Sequence, residues 1–329
     1  MKKRWGAGSI FGLLVLILAV LGETSCTTVP AVSPELKSHP FAELPPGATL
    51  YVYGNVQKSR SLLKELYRLD AGGVSGGLLK KVPLSALDIT DQFYGAIYRE
   101  NPERNWYALV SGRFPVFQSN LSLFFSPEWK KKRSGGLSYW RSEKQRVSLQ
   151  ISSRQLILTD GIPQTAASLG SSLYGTEGET DSLLQDMALS HLVILIPKPQ
   201  SLFQSALAGL GIPAQNLQIP MEEIRVKLYS SAIQDSYEIQ LNLQTGSPIY
   251  ARALGALLSL ASRMLSTWEM GVAAEDPSLA LQQFAGILLS GSQKTEGNRI
   301  ILVSKPVSQG ELALLLHNLL VYFERNKTF

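Results

Sequence analysis

Ile224-Arg-Val-Lys-Leu-Tyr-Ser-Ser-Ala-Ile-Gln-Asp-Ser-Tyr-Glu-Ile-Gln-Leu-Asn-Leu243 is the stretch that decides the fold class. Ile224, Val226 and Leu228 are separated by Arg225 and Lys227, and Ile239, Leu241 and Leu243 by Gln240 and Asn242. A period of two sends alternate side chains to opposite faces of a strand. The two runs, joined through Gln234-Asp235, therefore predict an antiparallel hairpin with one buried face and one wet face. Upstream, Phe93–Arg99 joined through Asn101-Pro102-Glu103 to Trp106–Phe114 predicts a second hairpin.

Working outward from the hairpins, the chain reads as two weakly similar halves. A β-rich run precedes each hairpin, Ala48–Val56 in the first half and Ser190–Pro197 in the second. Helices follow those runs, one from Ser61 using Leu62, Leu66 and Leu69, the other from Ser201 using Ala206, Leu207 and Leu210. After each hairpin a proline, Pro115 or Pro248, suits the first turn of a helix. Leu137–Trp140, Val147–Ile151 and Leu156–Leu158 then read as strands, as do Ile287–Leu289 and Ile300–Val303. Terminal helices follow both sets. Ser308-Gln-Gly-Glu311 is a capping box, which starts the last helix and carries it to about Phe323. The expected fold is α+β, with two similar modules, each an antiparallel sheet with helices on one face. The boundaries are 1–25 for a signal or anchor, 26–46 for a tether with folding proper from Ala48, 47–185 for module 1 and 186–329 for module 2.

Lys2, Lys3 and Arg4 precede Ile10–Leu21, an uncharged apolar run, and small and polar residues from Gly22 to Thr28 follow it. A positive start, a short apolar run and then small residues make an export signal. Counted from Trp5 the uncharged stretch reaches the lower limit for a membrane span, so an uncleaved anchor is the alternative. Cys26 is the only cysteine and has no intramolecular partner. With Thr24 and Ser25 before it, Cys26 makes residues 1–27 resemble a bacterial lipoprotein precursor, with the relaxed signal of spirochaete lipoproteins. Glu23 departs from the aliphatic residue usual at that position. The resemblance implies that Cys26 receives lipid and becomes the mature N-terminus. Cleavage after Gly22, leaving Cys26 incidental, is the other possibility. Position 27 is Thr and not the aspartate that in enterobacterial lipoproteins signals inner-membrane retention; that leans to the outer membrane only where the same sorting rule applies, so inner versus outer stays open. Thr27–Pro46 holds five prolines and reads as a semi-rigid tether. Glu43–Val52 (ELPPGATLYV) also resembles the opening of certain uncharacterised bacterial envelope proteins.

The chain of 329 residues is 45% hydrophobic and 17% charged, which excludes disordered, collagen-like and multi-span classes. Residues 1–25 hold three of its 31 basic and one of its 26 acidic side chains, leaving 28 and 25, a net of +3. So small an excess gives no reason to expect nucleic acid as a partner.

Gly73-Val-Ser75-Gly-Gly77 matches G-x-S-x-G, but it follows a helix instead of a strand, so a flexible loop is expected and an envelope hydrolase is only the third reading. His39, His191 and His317 show no metal-ligand spacing, and no cofactor motif is present. Trp129, Lys130, Lys131, Lys132 and Arg133, with Phe124 and Phe125 just before them, form a candidate contact for anionic lipid or a partner, weighed against a solvated turn. In Ala251–Ser266 the two arginines, Arg252 and Arg263, lie about 20° apart around a helix, leaving most of the circumference apolar. Such a helix calls for burial on more than one side. Its small face, Ala251, Gly255, Ser259 and Ser262, permits close approach of another element.

These features describe a non-enzymatic, membrane-anchored envelope lipoprotein on the exported (periplasmic) side, a scaffold or binding module for another envelope protein. The alternative is a carrier or sensor of an apolar ligand such as lipid, with Leu257 and Leu260 lining its pocket. Cys26→Ala is expected to release or mislocalise the protein in a membrane fractionation; unchanged retention would favour the uncleaved span.

Overall fold

The computed structural model describes residues 41, 44–72, 84–99, 101, 104–163, 177–199, 220–266 and 279–326. Cys26, His39, Ser75 with its glycines and the expected helix from Ser201 lie outside the described residues. The chain divides into two compact units, one of Met1–Leu189 with Phe323–Phe329 and one spanning Ser190–Tyr322.

In the first unit the elements are β1 (Leu50–Asn55), α1 (Arg60–Gly72), α2 (Ala86–Ile89), β2 (Thr90–Ile97), β3 (Trp106–Gly112), α3 (Val116–Phe125), β4 (Trp129–Ser134), β5 (Leu137–Ser142), β6 (Val147–Ile151), β7 (Gln155–Thr159) and α4 (Glu177–Leu189). The strands pair antiparallel in the order β1-β2-β3-β7-β6-β5-β4. On one face Trp106, Ala108 and Val110 join Leu156, Leu158, Leu149 and Trp140, and Phe114 and Leu123 close over them.

The opposite face of this sheet is covered too, contrary to the expectation of helices on one face only. Tyr53, Tyr94 and Leu109 are register neighbours there, and all three are buried. Phe41 stacks on Tyr51 at 5.1 Å and meets Tyr94 edge-on at 6.4 Å. Burial pushes the Tyr98 phenol above its ordinary pKa, and that hydroxyl donates to the Pro45 carbonyl at 2.5 Å. Phe41 and Leu44, read from sequence as tether, are thus part of the folded unit, which starts before Ala48. Phe41 and Leu44, nine and six residues ahead of the first strand, find an apolar face to cover, and burial outweighs the extended bias of the neighbouring prolines.

The second unit holds β8 (Leu192–Pro197), β9 (Met221–Ser230), β10 (Ser236–Thr245), α5 (Pro248–Ser266), α6 (Ala280–Leu289), β11 (Ser292–Glu296), β12 (Arg299–Val303), β13 (Val307–Ser308) and α7 (Gln309–Asn326). Its strands pair antiparallel in the order β8-β9-β10-β12-β11, with β13 beside the start of β10. The order of the first three strands, and the last strand returning beside the third, recur in both units.

The deciding hairpin forms as read, with Ile239 opposite Leu228 and Leu243 opposite Ile224. Leu243 and Ile300 pack with Ala251 and Leu254 of α5. The other face of the hairpin is half-buried instead of wet: Arg225, 11% exposed, holds Glu223 at 2.9 Å. Ile287–Leu289, expected as a strand, is the end of α6, where Ala280, Gln283 and Ile287 point inward at helical spacing. A three-residue apolar run carries no period that separates helix from strand. The capping box forms reciprocally: the Ser308 N–H donates to Glu311 Oε2 at 3.0 Å, and the Glu311 N–H donates to Ser308 Oγ at 3.3 Å.

Two glycines of this unit respond to a methyl group in opposite ways. A Cβ on Gly291 would lie 1.8 Å from the Val303 carbonyl oxygen, whereas one on Gly310, in the first turn of α7, meets nothing within 4 Å. Gly291→Ala is expected to cost ~1–3 kcal/mol through forced backbone movement. Gly310→Ala should add about 0.4–1 kcal/mol by stiffening the unfolded chain. Denaturant melts of the two variants check both signs.

Candidate functional site

Val116-Phe-Gln-Ser-Asn-Leu-Ser-Leu-Phe-Phe125 forms α3 directly after Pro115, which occupies the cap position with φ −76°. No residue of this helix is charged. Its inward residues are Ser119 and Leu123, one turn apart and both buried, with Leu123 in the core. Asn120 is half-buried beside them. Its Oδ1 accepts from the Trp140 indole N–H at 2.7 Å, and its Nδ2 donates back to the Val116 carbonyl at 2.8 Å.

On the side away from Ser119 and Leu123, apolar side chains face out. Phe117, Leu121, Phe124 and Phe125 are 78%, 45%, 69% and 73% exposed. They recur at i, i+4, i+7 and i+8, which is one continuous stripe along a helix. The rings of Phe124 and Phe125 meet edge to face at 5.5 Å. A stripe of this kind marks an interaction surface.

Packed against α3 is β4, which is Trp129-Lys-Lys-Lys-Arg-Ser134. The run expected as a solvated turn or a lipid contact is therefore an edge strand, paired to β5 along its length. Lys and Arg disfavour strands only weakly, and the pairing partner supplies the order that sequence propensity lacks. Lys131 Nζ stands 6.0 Å from the Trp140 ring centroid, and Arg133 Nε donates to Ser138 Oγ at 3.2 Å. Lys132 Nζ donates to Glu143 Oε1 at 2.5 Å, and that bond, reinforced by the ammonium charge, holds the Glu143 carboxyl below its ordinary range. Lys144 and Glu128 form a further pair at 2.6 Å.

In the second unit α5 occupies the corresponding place after β10. Its small face does admit a close neighbour: Gln293 of β11 donates to the Gly255 carbonyl at 2.8 Å, and Ser259 Oγ donates to Gln293 Oε1 at 3.2 Å. Burial is met on that side alone. Ile249, Tyr250, Leu257 and Leu260 are exposed, so the two leucines expected to line a pocket face outward.

His191 is buried, 2.8 Å from Ser230 Oγ and edge-on to Tyr237, and His317 is half-buried on α7. Among the described residues no group of three or more His, Cys, Asp or Glu side chains is placed to hold a metal, and no helix is long and apolar enough to cross a membrane. Phe117 and Leu121 were not singled out in the sequence; the signal available was their spacing with Phe124 and Phe125 in a segment free of charge.

No protein-family model matches the chain, and no curated protein does. Among solved structures it is similar to crystal form III of a protein designated TP0453, at 17% identity and a TM-score of 0.52, over 88% of this chain and 99% of that one. Crystal form I of the same protein aligns at 16% identity and a TM-score of 0.49, over 86% and 98% of the two chains. The likeness is one of fold.

The Asn120 bridge ties α3 to Trp140 of β5. Asn120→Ala should cost the first unit roughly 1–3 kcal/mol by orphaning the buried indole N–H, whereas exposed Gln118→Ala should leave the melt unchanged; chemical denaturation followed by tryptophan fluorescence reads both.

Proposed function

We propose that this chain is a non-enzymatic envelope lipoprotein, anchored through Cys26, whose first unit rests on a lipid surface by the outward face of α3. The single observation carrying the reading is the stripe Phe117, Leu121, Phe124 and Phe125, exposed on an uncharged helix beside a cationic strand. At ten residues the helix is about 15 Å long, too short to span a bilayer and suited to lying in its interface. Phenylalanines at that depth gain the apolar transfer that water denies them.

The two units are, in this reading, copies of one module. The recurrent strand order and the proline-led helix after the third strand support it. So does the outward apolar face on that helix in each unit, Phe117 to Phe125 in one and Ile249 to Leu260 in the other.

The test uses the full chain in vesicles of phosphatidylcholine with phosphatidylglycerol, in a Cys26→Ala background. An environment-sensitive fluorophore on Ser122→Cys, an exposed position beside the stripe, reports docking of α3. Phe117→Ser with Phe124→Ser is expected to lower the ratio of docked to free label roughly tenfold to a hundredfold, with an unchanged circular-dichroism spectrum. A label that docks equally in the double variant overturns the reading.

A further inference from the structure

The four cations of β4 are not equivalent. Register places Lys131 opposite Trp140 and Trp129 opposite Ser142. Trp129 and Trp140 belong to the core that Leu123 of α3 closes, so their face of the strand is the face α3 covers. Residues two apart in a strand share a face; Trp129, Lys131 and Arg133 therefore point to the α3 side. Lys130 and Lys132, opposite Arg141 and Tyr139, point to the other. There Lys132 is already neutralised by Glu143. Among the described residues neither Lys131 nor Arg133 is paired with a carboxylate: Lys131 leans on the Trp140 ring and Arg133 bonds a serine hydroxyl. Both are exposed.

We propose that Lys131 and Arg133 form a headgroup site for anionic phospholipid, set beside the phenylalanine stripe so that phosphates meet the two cations while the rings enter the acyl boundary. The proposal rests on the membrane-surface reading above. Positions two apart along a strand are separated by about 7 Å, a spacing at which neighbouring headgroups of one leaflet can each take a cation. The charge complementarity commits the surface to anionic lipid. Lys130 and Lys132 contribute only to the general field of the protein, which is screened within ~8–10 Å at physiological salt.

The same labelled full-length protein tests it, in vesicles of pure phosphatidylcholine and in vesicles with about a third phosphatidylglycerol. Two double variants remove the same charge: Lys131→Gln with Arg133→Gln, and Lys130→Gln with Lys132→Gln. A cation near an anionic surface is worth roughly 5-fold. The first variant should thus lose at least tenfold of the gain in docking that phosphatidylglycerol confers. The second should stay within about threefold of the parent. Equal losses in the two variants would mean that net charge acts, not this face, and would overturn the proposal. So would a parent protein that docks alike on both lipids, or a first variant that keeps its gain. Those outcomes leave the phenylalanine result standing if the Phe117→Ser, Phe124→Ser variant still releases the label; a parent that never docks removes both.

Discussion

One hydrogen bond ties α3 to the sheet of the first unit. The Trp140 indole can only donate, and it sits buried among apolar side chains. Its acceptor is Asn120, whose amide then returns to the Val116 carbonyl of its own helix. That bridge secures one flank of α3, while Ser119 and Leu123 take the inward direction; at about 100° per residue positions 117, 121, 124 and 125 then lie roughly 120–180° from it and face out. Magnitudes make the arrangement informative. An orphaned indole N–H costs about 1–3 kcal/mol, and each fully buried phenylalanine is worth about 1.5–3 kcal/mol. Three exposed rings forgo more apolar burial than one hydrogen bond returns. In the proposed reading an apolar phase on that side of the helix takes up the outward phenylalanines.

The strand next to the helix answers two constraints at once. As the last strand of its sheet, β4 has one row of backbone groups without a strand partner, and lysines on an edge discourage addition of another chain. That role needs charge but is indifferent to the face on which the charge lies. The alternation of the strand divides the cations two and two. The pair shared with Trp129 stands over the α3 side, and on the other side Glu143 already compensates Lys132. Edge protection explains the composition of Trp129–Ser134, and the strand register explains which of its charges remain available to a ligand.

Legibility followed physical redundancy. The Ile224–Leu243 hairpin was readable because burial and alternation coincide there, and the start of α7 because Ser308 and Glu311 satisfy one another's backbone donors. The close approach at Gly255 was readable from the small-residue face, although its partner, Gln293, was not, because β11 is exposed along its length and shows no alternation. Ile287–Leu289 failed as a strand because three apolar residues fit either period. The candidate site was half legible. Lys131 and Arg133 stood out by charge, but only pairing to β5 separates them from Lys130 and Lys132. Phe117 and Leu121 were hidden because an apolar residue is assigned to the core by default, and nothing local shows that Ser119 takes an inward position.

The topology adds a last constraint. If strands one to three and the two that return beside the third are the common module, β7 and β6 of the first unit correspond to β12 and β11 of the second. The first unit then carries β5 and β4 in addition, so its cationic edge is absent from the common plan. Against the proline-led helix of the second unit stands β11, whose Gln293 ties it to the Gly255 carbonyl through neutral hydrogen bonds. Both helices share the slot and the outward apolar face; among the described residues the first has Lys131 and Arg133, bound to no carboxylate, on the strand packed against it, and the second has Lys294 paired to Glu296. In the proposed reading, apolar exposure is the shared property of the helix slot, and charge selection is the particular property of the first unit. If the two units are copies of one module, the proposed headgroup site is a gain of the first copy, and the second keeps only the apolar face.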